Sequence, residues 1–492
     1  TKGPSPWQVP GNSPGVLSPI AVGLAAAPVL VNPISPLLSS LGAAITALWS
    51  PPAVDDGDAY KIITDAEGIY QISKDYLDTN GVDTNAITLS QIRIYYLGQE
   101  VAIEVFDQNS DDRMDATDYL RFYAQPVNSL YAKYSDQNVY WLTLSGGSGS
   151  PLRMSSIAAG PAGGLLAADF ADTAHHELNQ IIWLKAPGED NIERWFFWTY
   201  VQGDQHAGGG LPKAFTVTVP DPTSDGTLTI LMAGQTDTEH VVNVAVNGVE
   251  QSFTWSGIRY FEATLDNVPL VAGDNTVTLQ CLSADGNDSI IVDWFKIDYW
   301  RDYMAIGNTL KFAPDSGSRY VIDGFSSNSL LAYDISNPAE VAKINNAQIA
   351  GTNPYSFEFE PTTYGDTYLV LGSDMLDIPV GLIEDRAANL AHTANGADYI
   401  LITHRDVGWD VSGDAYQWLD DLATLRQAQG LRVFVADIED IYDEFSFGIQ
   451  SPHAVKDFLA YAYSNWSPPA PRHVLLVGDA TYDPKNHWNE ND

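Results

Sequence analysis

The sequence predicts a multidomain, mainly β protein that changes, near its carboxyl end, into a partial α/β unit with a parallel sheet. Three observations predict this. The chain has 492 residues, several times the ~150 residues of an ordinary domain. Between about residues 55 and 390, short runs rich in β-branched and aromatic residues recur between Gly, Asn and Asp turns. After residue 391 strand-like runs alternate with helical periodicity. A hydrophobic content of 45%, with 13 Trp, 25 Tyr and 17 Phe, excludes a disordered chain, a collagen-like chain or a coiled-coil fibre.

Residues 1–54 read as an uncharged apolar arm, in which Lys2 is the only charge. Prolines 19, 28, 33 and 36 break the apolar pattern, and the longest proline-free run is Leu37 to Ser50, short of the ~20 residues that a spanning helix needs. No membrane span and no signal peptide are expected. The arm is expected to be extended, to end in a short helix, and to bury residues 15–49 on its own protein or on a neighbouring copy, because so large an apolar surface is not tolerated in water.

Pro51-Pro52 and Asp55-Asp56-Gly57-Asp58 open a β domain over 55–155, with strands at 60–64, 68–72, 92–96 and 101–106. Glycine-rich joints at 146–151 and 160–164 lead to a jelly-roll-like β-sandwich over 156–305. Its strands are expected at 214–219, 227–232, 241–246 and 289–295, with Asn247-Gly248 as a hairpin turn. Residues 306–390 form a further β-rich segment. In 391–492, strands at 398–403, 431–436 and 473–477 alternate with a helix over 414–429, its face made by Trp418, Leu422 and Leu425, and a helix starting at Ser451-Pro452. Strand–helix repetition of this kind builds a doubly wound parallel sheet, which binds ligands beyond the carboxyl ends of its strands.

The charge balance, 24 Lys and Arg against 63 Asp and Glu, gives 24 − 63 = −39, which excludes nucleic acid and anionic membrane surfaces as partners. Cys281, the only Cys, cannot form an intrachain disulfide; period-two alternation with Val277 and Leu279 makes it a core thiol. The nine histidines lack zinc-site spacing, and neither a Gly-x-Ser-x-Gly elbow nor a phosphate-cradling loop is present. Trp195-Phe196-Phe197-Trp198 and Trp255 could offer platforms to a sugar, although core packing is the expected use.

Asp107, Asn109, Asp111, Asp115 and Asp118, with the carbonyl of Arg113, stand at loop positions 1, 3, 5, 9, 12 and 7, the spacing with which oxygens wrap Ca²⁺. The loop resembles the calcium loop of dockerin-like repeats, but Asp112 replaces the Gly usual at position 6. A solvated acidic turn is the alternative. At the ends of the parallel strands stand His404-Arg405-Asp406, Asp437 with Glu439-Asp440, and Gly478 to Pro484; a site-bearing edge and helix capping account for them equally well.

The block from Asp398-Tyr399-Ile400-Leu401-Ile402-Thr403-His404, through Ile441-Tyr442-Asp443-Glu444-Phe445 and Ser451-Pro452-His453-Ala454-Val455, to Val474-Leu475-Leu476-Val477-Gly478-Asp479 resembles the opening of the catalytic domain of gingipain-like cysteine peptidases. Gly68-Ile69-Tyr70, Asp118-Tyr119-Leu120-Arg121-Phe122-Tyr123, Asn138-Val139-Tyr140-Trp141-Leu142 and Val292-Asp293-Trp294-Phe295 resemble the accessory domains of its secreted members. The resemblance implies a caspase-like fold and a cysteine endopeptidase acting on protein or peptide, outside a bacterial cell or on its surface. The family's catalytic His stands in Gly-His-Gly and its Cys follows a later strand; neither motif occurs here, so the chain is expected to be inactive alone and to need a downstream catalytic segment. Neighbouring copies of the chain are the other expected partner. The alternatives are a non-catalytic cell-surface, sheath or filament subunit, or a glycan-binding module. A sortase-like role, known among relatives, is not separable from peptidase by sequence.

Overall fold

In a computed structural model the described residues are 59–488, except 146, 161–162, 184–195, 204–209, 284–287, 316, 387, 479–480 and 482. The expected arm, 1–54, lies outside them. The first β unit packs a five-stranded antiparallel sheet, ordered 381–384, 59–64, 138–143, 93–96 and 99–101, over a three-stranded sheet of 68–73, 119–124 and 104–106. Ile62, Tyr70, Leu120, Phe122 and Tyr140 fill the space between them. The expected strand 101–106 splits into Gln99–Val101 and Glu104–Phe106. Between the halves, Ala102 donates its N–H to Ala339 (2.8 Å) and Ile103 accepts from Met154 (2.9 Å), so the backbone pairs elsewhere there. Gly381–Glu384, far away in sequence, forms the edge of this unit's larger sheet.

The sandwich has two antiparallel sheets. In one, Ser289–Arg301 lies beside Gly226–Gly234, which pairs with Tyr260–Val268, and its other side takes Phe170–Glu177 and Thr199–Gln202. The other has the order 213–219, 273–281, 239–246 and 249–256. Inward-facing Phe215, Val217, Ile230, Val244, Leu279, Phe295 and Ile297 are buried between the sheets, as period-two alternation requires. Asn247 (φ +47°) and Gly248 (φ +90°) form the hairpin turn and pair Val246 with Val249; both left-handed positions explain the Asn-Gly choice. Trp255 is buried in this core, stacked on Phe261 at 4.5 Å, so it offers no platform.

Residues 309–372 form two further sheets around Phe312, Tyr320, Phe359 and Tyr368. Ser155–Ala158 joins one of them, in parallel with Ala342–Asn345.

The carboxyl-terminal unit is a parallel sheet with Val433–Asp437 and His473–Leu476 on either side of Tyr399–Thr403. Ile400, Ile402 and Ala436 pack on helices Ile438–Ser446 and Pro452–Asn465 through Ile441, Ala454, Phe458 and Ala462. Tyr399 and Leu401 pack on helix Gln417–Ala428 through Leu419. Leu425, expected on the buried face, is exposed, because this helix meets the sheet along Leu419 while the Trp418 indole turns to donate to the Val407 carbonyl. Ser451 caps the last helix by accepting from the His453 N–H (3.2 Å), with Pro452 in its first turn. Among the described residues no helix is long and apolar enough to cross a membrane.

Lys61 of the first β unit reaches the carboxylate of Asp443 in helix 438–446 at 2.8 Å, and Trp141 donates to the Phe447 carbonyl at 2.9 Å. Phe447 (φ +58°) and Gly448 (φ +87°) both take the left-handed conformation that turns the chain after this helix. A Cβ on Gly448 would lie 2.9 Å from Val139, so this seam needs glycine.

Candidate functional site

The carboxyl ends of strands 399–403 and 433–437 place a guanidinium between two carboxylates. His404 caps the short helix Arg405–Gly408, its Nδ1 accepting from the Asp406 N–H at 3.2 Å. Asp437 caps helix 438–446 by accepting from the Glu439 N–H at 3.1 Å and also pairs with Arg405 Nη2 at 2.8 Å. The same Nη2 lies 3.4 Å from Asp440. Of the two expected caps, Asp437 is one and Asp406 is not; His404 takes that place. Burial, and then the Asp437 charge, push the Asp440 carboxyl up to about 7, against the pull of Arg405. Arg405 Nε is buried with no hydrogen-bond partner among the described residues.

Arg405, Asp406, Asp437 and Asp440 line a cavity of about 650 Å³, walled by Trp409, Tyr416 and Val435. A carboxyl that titrates near neutrality can accept or donate a proton, and the adjacent guanidinium can hold an anionic or carbonyl oxygen. Among the described residues the lining contains no Cys, Ser, Thr or His side chain. Cys281 is fully buried in the sandwich, 3.4 Å from the Val201 carbonyl, and burial raises its thiol to about 12, so it stays protonated and unreactive. At the end of the third strand, Gly478 is described but Asp479, Ala480 and Tyr482 are not. Asp483 accepts from the Trp488 N–H (2.9 Å), and Lys485 ties the segment to Asp136 (2.6 Å) and to the Ala132 carbonyl (2.9 Å).

The 107–118 loop holds Asp107, Asn109, Asp111, Arg113, Asp115 and Asp118 together in a single turn system. Asp107 accepts from the N–H groups of Ser110 (2.7 Å) and Asp112 (2.9 Å), and Asp111 from that of Arg113 (3.0 Å). Asp118 accepts from Gln108 (2.9 Å) and Asp115 (2.8 Å), and Asn109 donates to Asp115 at 2.8 Å. Asp112 takes φ +64°, the left-handed conformation for which position 6 normally uses Gly, and its carboxylate binds Ser90 N and Oγ, both at 2.7 Å. With each acid turned to local donors, the described residues contain no group of three or more His, Cys, Asp or Glu gathered as a metal site.

Sequence reasoning missed the pairing of Lys61 with Asp443 and the cavity walls Trp409 and Tyr416. Lys61 sits inside an apolar strand pattern and its partner is 382 residues away, so no local signal exists. The walls belong to a stretch without periodicity between Gly408 and the next helix.

The cavity thus lies at the carboxyl edge of a three-stranded parallel sheet, within the part of the chain that carries the gingipain-like resemblance. Residues 392–491 match peptidase family C25. This is the gingipain family, as the sequence block indicated. The fold of a much longer stretch is similar to that of dimeric latent PorU from Porphyromonas gingivalis, a C25-family protein. The TM-score is 0.58 at 18% identity, over 88% of this chain and 42% of that one, so the chain spans less than half of that structure. The CBM36-1 domain of a multidomain xylanase from the hindgut metagenome of Trinervitermes trinervoides matches at 18% identity and TM-score 0.19, over 26% of this chain and 95% of the domain. A family 35 carbohydrate binding module from Clostridium thermocellum matches at 19% identity and TM-score 0.17, over 28% of this chain and 98% of the module. No curated protein matches the chain in sequence.

Proposed function

We propose that this chain is the amino-terminal portion of a gingipain-like cysteine endopeptidase that works outside a bacterial cell or on its surface. Its β units carry the first strands of the catalytic sheet, and the catalytic His and Cys come from a downstream segment. One observation carries the reading: the C25 match coincides with a parallel sheet whose edge strand, His473–Leu476, pairs only with Tyr399–Thr403 among the described strands and so offers its other backbone edge to continuation of the sheet. The Arg405–Asp440 cavity then borders the active site and orients substrate rather than cleaving it. Self-association is the second proposed partnership, in line with the dimeric latent PorU from Porphyromonas gingivalis.

The test is expression of residues 1–492 alone and together with the coding region that follows. Thiol-dependent cleavage of a peptide library, blocked by iodoacetamide, is expected only for the longer protein. Cleavage by residues 1–492 alone, or none by either, sinks the proposal.

We also propose that the 107–118 loop takes Ca²⁺, with its carboxylates turning from backbone N–H groups to the cation. The ligand spacing and the left-handed Asp112 support this. A thermal midpoint raised by Ca²⁺ and restored by chelation is expected, since a ligand at 100 times its Kd stabilises by about 2.7 kcal/mol. An unchanged midpoint in millimolar Ca²⁺ excludes the site.

A further inference from the structure

The outer face of the larger sandwich sheet is not an ordinary solvated surface. Strand 289–301 turns Phe295, Ile297 and Tyr299 into the core, so Trp294, Lys296, Asp298 and Trp300 point away from it. The register sets Trp300 beside Ala171, then Asp298 between Thr173 and Thr227, then Lys296 between His175 and Thr229, then Trp294 beside Glu177. Two indoles, six residues or about 20 Å apart along one strand, thus bracket a patch of hydroxyl, carboxylate, imidazole and ammonium groups. Thr173 donates to Asp298 at 2.7 Å, Lys296 pairs with Asp298 at 3.0 Å, and His175 lies against the Trp294 ring at 5.5 Å.

This face is also walled. A groove of about 1300 Å³ contains Trp300, Asp298, Thr173 and Thr227 and is bounded by Ile306 and Lys311 of the following unit. A second cavity of about 480 Å³ holds Trp294 and Glu177, with Phe196 and His487 opposite, and His175 belongs to both. Trp300 is 42% exposed, a large apolar plate left in water. Arg301, only 8% exposed, also lines the larger groove; its Nη1 is held by Asp172 at 2.9 Å, but its Nε has no partner among the described residues.

We propose that this face, across the groove and the adjoining cavity that share His175, binds a neutral, linear glycan chain, with Trp300 and Trp294 stacking on sugar rings and Asp298, Thr173, His175 and Lys296 bonding to ring hydroxyls. A pyranose presents flat C–H faces and an edge of groups that both donate and accept, which is the chemistry this patch complements. The carboxylates of Asp298 and Glu177, on a chain of net charge −39, repel a polyanion. A peptide strand would need free backbone groups, and the backbones under this patch are paired with one another. The inference does not depend on the peptidase reading.

The full chain is titrated by calorimetry with xylohexaose, cellohexaose, maltohexaose and chitohexaose, while Trp fluorescence is followed. Saturable binding of at least one is expected. Trp300→Ala should weaken it about tenfold or more, and Asp298→Asn severalfold, whereas Tyr463→Ala, an exposed aromatic on helix 452–465, should leave it unchanged. Thermal midpoints of all three variants should match the parent, so that lost binding is not lost folding. The proposal is overturned if none of the four sugars binds, if Trp300→Ala and Tyr463→Ala bind alike, or if light scattering shows that Trp300→Ala converts a dimer to a monomer, which would make the face a contact between copies.

Discussion

The sandwich around Phe295 and the parallel sheet around Tyr399–Thr403 bury their strands in different ways. In the sandwich every strand shares its inner face with a second sheet, and the long strand Ser289–Arg301 is flanked on both sides by partners of the same chain. In the parallel sheet the central strand Tyr399–Thr403 is buried throughout, while the neighbouring His473–Leu476 leaves Val474 46% and Leu476 62% exposed. Stability in the first region comes from a closed apolar core. The second has an apolar core on each face of its sheet and adds contacts from outside its own fold, among them Lys61 on Asp443 and Trp141 on the Phe447 carbonyl.

The largest effect should therefore come from the sandwich core. Phe295→Ala removes a fully buried ring and is expected to cost about 3–5 kcal/mol, read from the denaturant midpoint with an unchanged slope. A loss below ~1 kcal/mol would show that the two sheets do not depend on each other. Next is the borrowed contact. Lys61→Met leaves Asp443 buried without its cation and should cost about 3 kcal/mol, whereas Lys61→Met with Asp443→Leu should recover most of that loss. Equal losses in the single and double variants would mean that packing, not charge, joins the two units.

A smaller, pH-dependent effect belongs to Asp440. Its carboxyl titrates near 7 in the folded chain and near ~4 when unfolded, so between those values the folded state binds the extra proton. Its contribution to stability is full below about pH 4 and is lost as pH rises through about 7. The slope approaches ~1.4 kcal/mol per pH unit. Asp440→Asn should flatten this slope in denaturation series from pH 4 to 8, and an unchanged slope assigns it to other groups, of which Asp443, also pushed up by burial, is the first to examine. The smallest effect is expected at the open edge: Val474→Thr with Leu476→Thr should change the stability of this chain by no more than about 0.5 kcal/mol. A larger loss would mean that these side chains are already covered.

Much of both regions was legible locally. Alternation placed Val277, Leu279 and Cys281 in the core, Asn247-Gly248 at the hairpin and Ser451-Pro452 at a helix start, because each depends on neighbours a few residues away. The sequence pattern ends strand 289–301 at Phe295, since Lys296 and Asp298 look like a break unless the face they occupy is known to be outside. Helix Ile438–Ser446, nine residues long, was visible only as a family motif, being too short to show periodicity. Of the candidate site, His404, Arg405, Asp406, Asp437, Glu439 and Asp440 were recognised by their position after strands. That Arg405 joins Asp437 to Asp440, and that Asp406 is not a cap, follows from geometry between separate elements.

The sequence by itself determined the class of each unit and the core position of Cys281, because these rest on composition and on side-chain periods of two or about 3.6. Tertiary structure alone decided which distant residues meet: Gly381–Glu384 on the edge of the first sheet, Lys61 against Asp443, and two tryptophans of one strand set in two cavities that share His175. Burial and pairing across hundreds of residues depend on the free energy of the whole chain, and no local pattern encodes them.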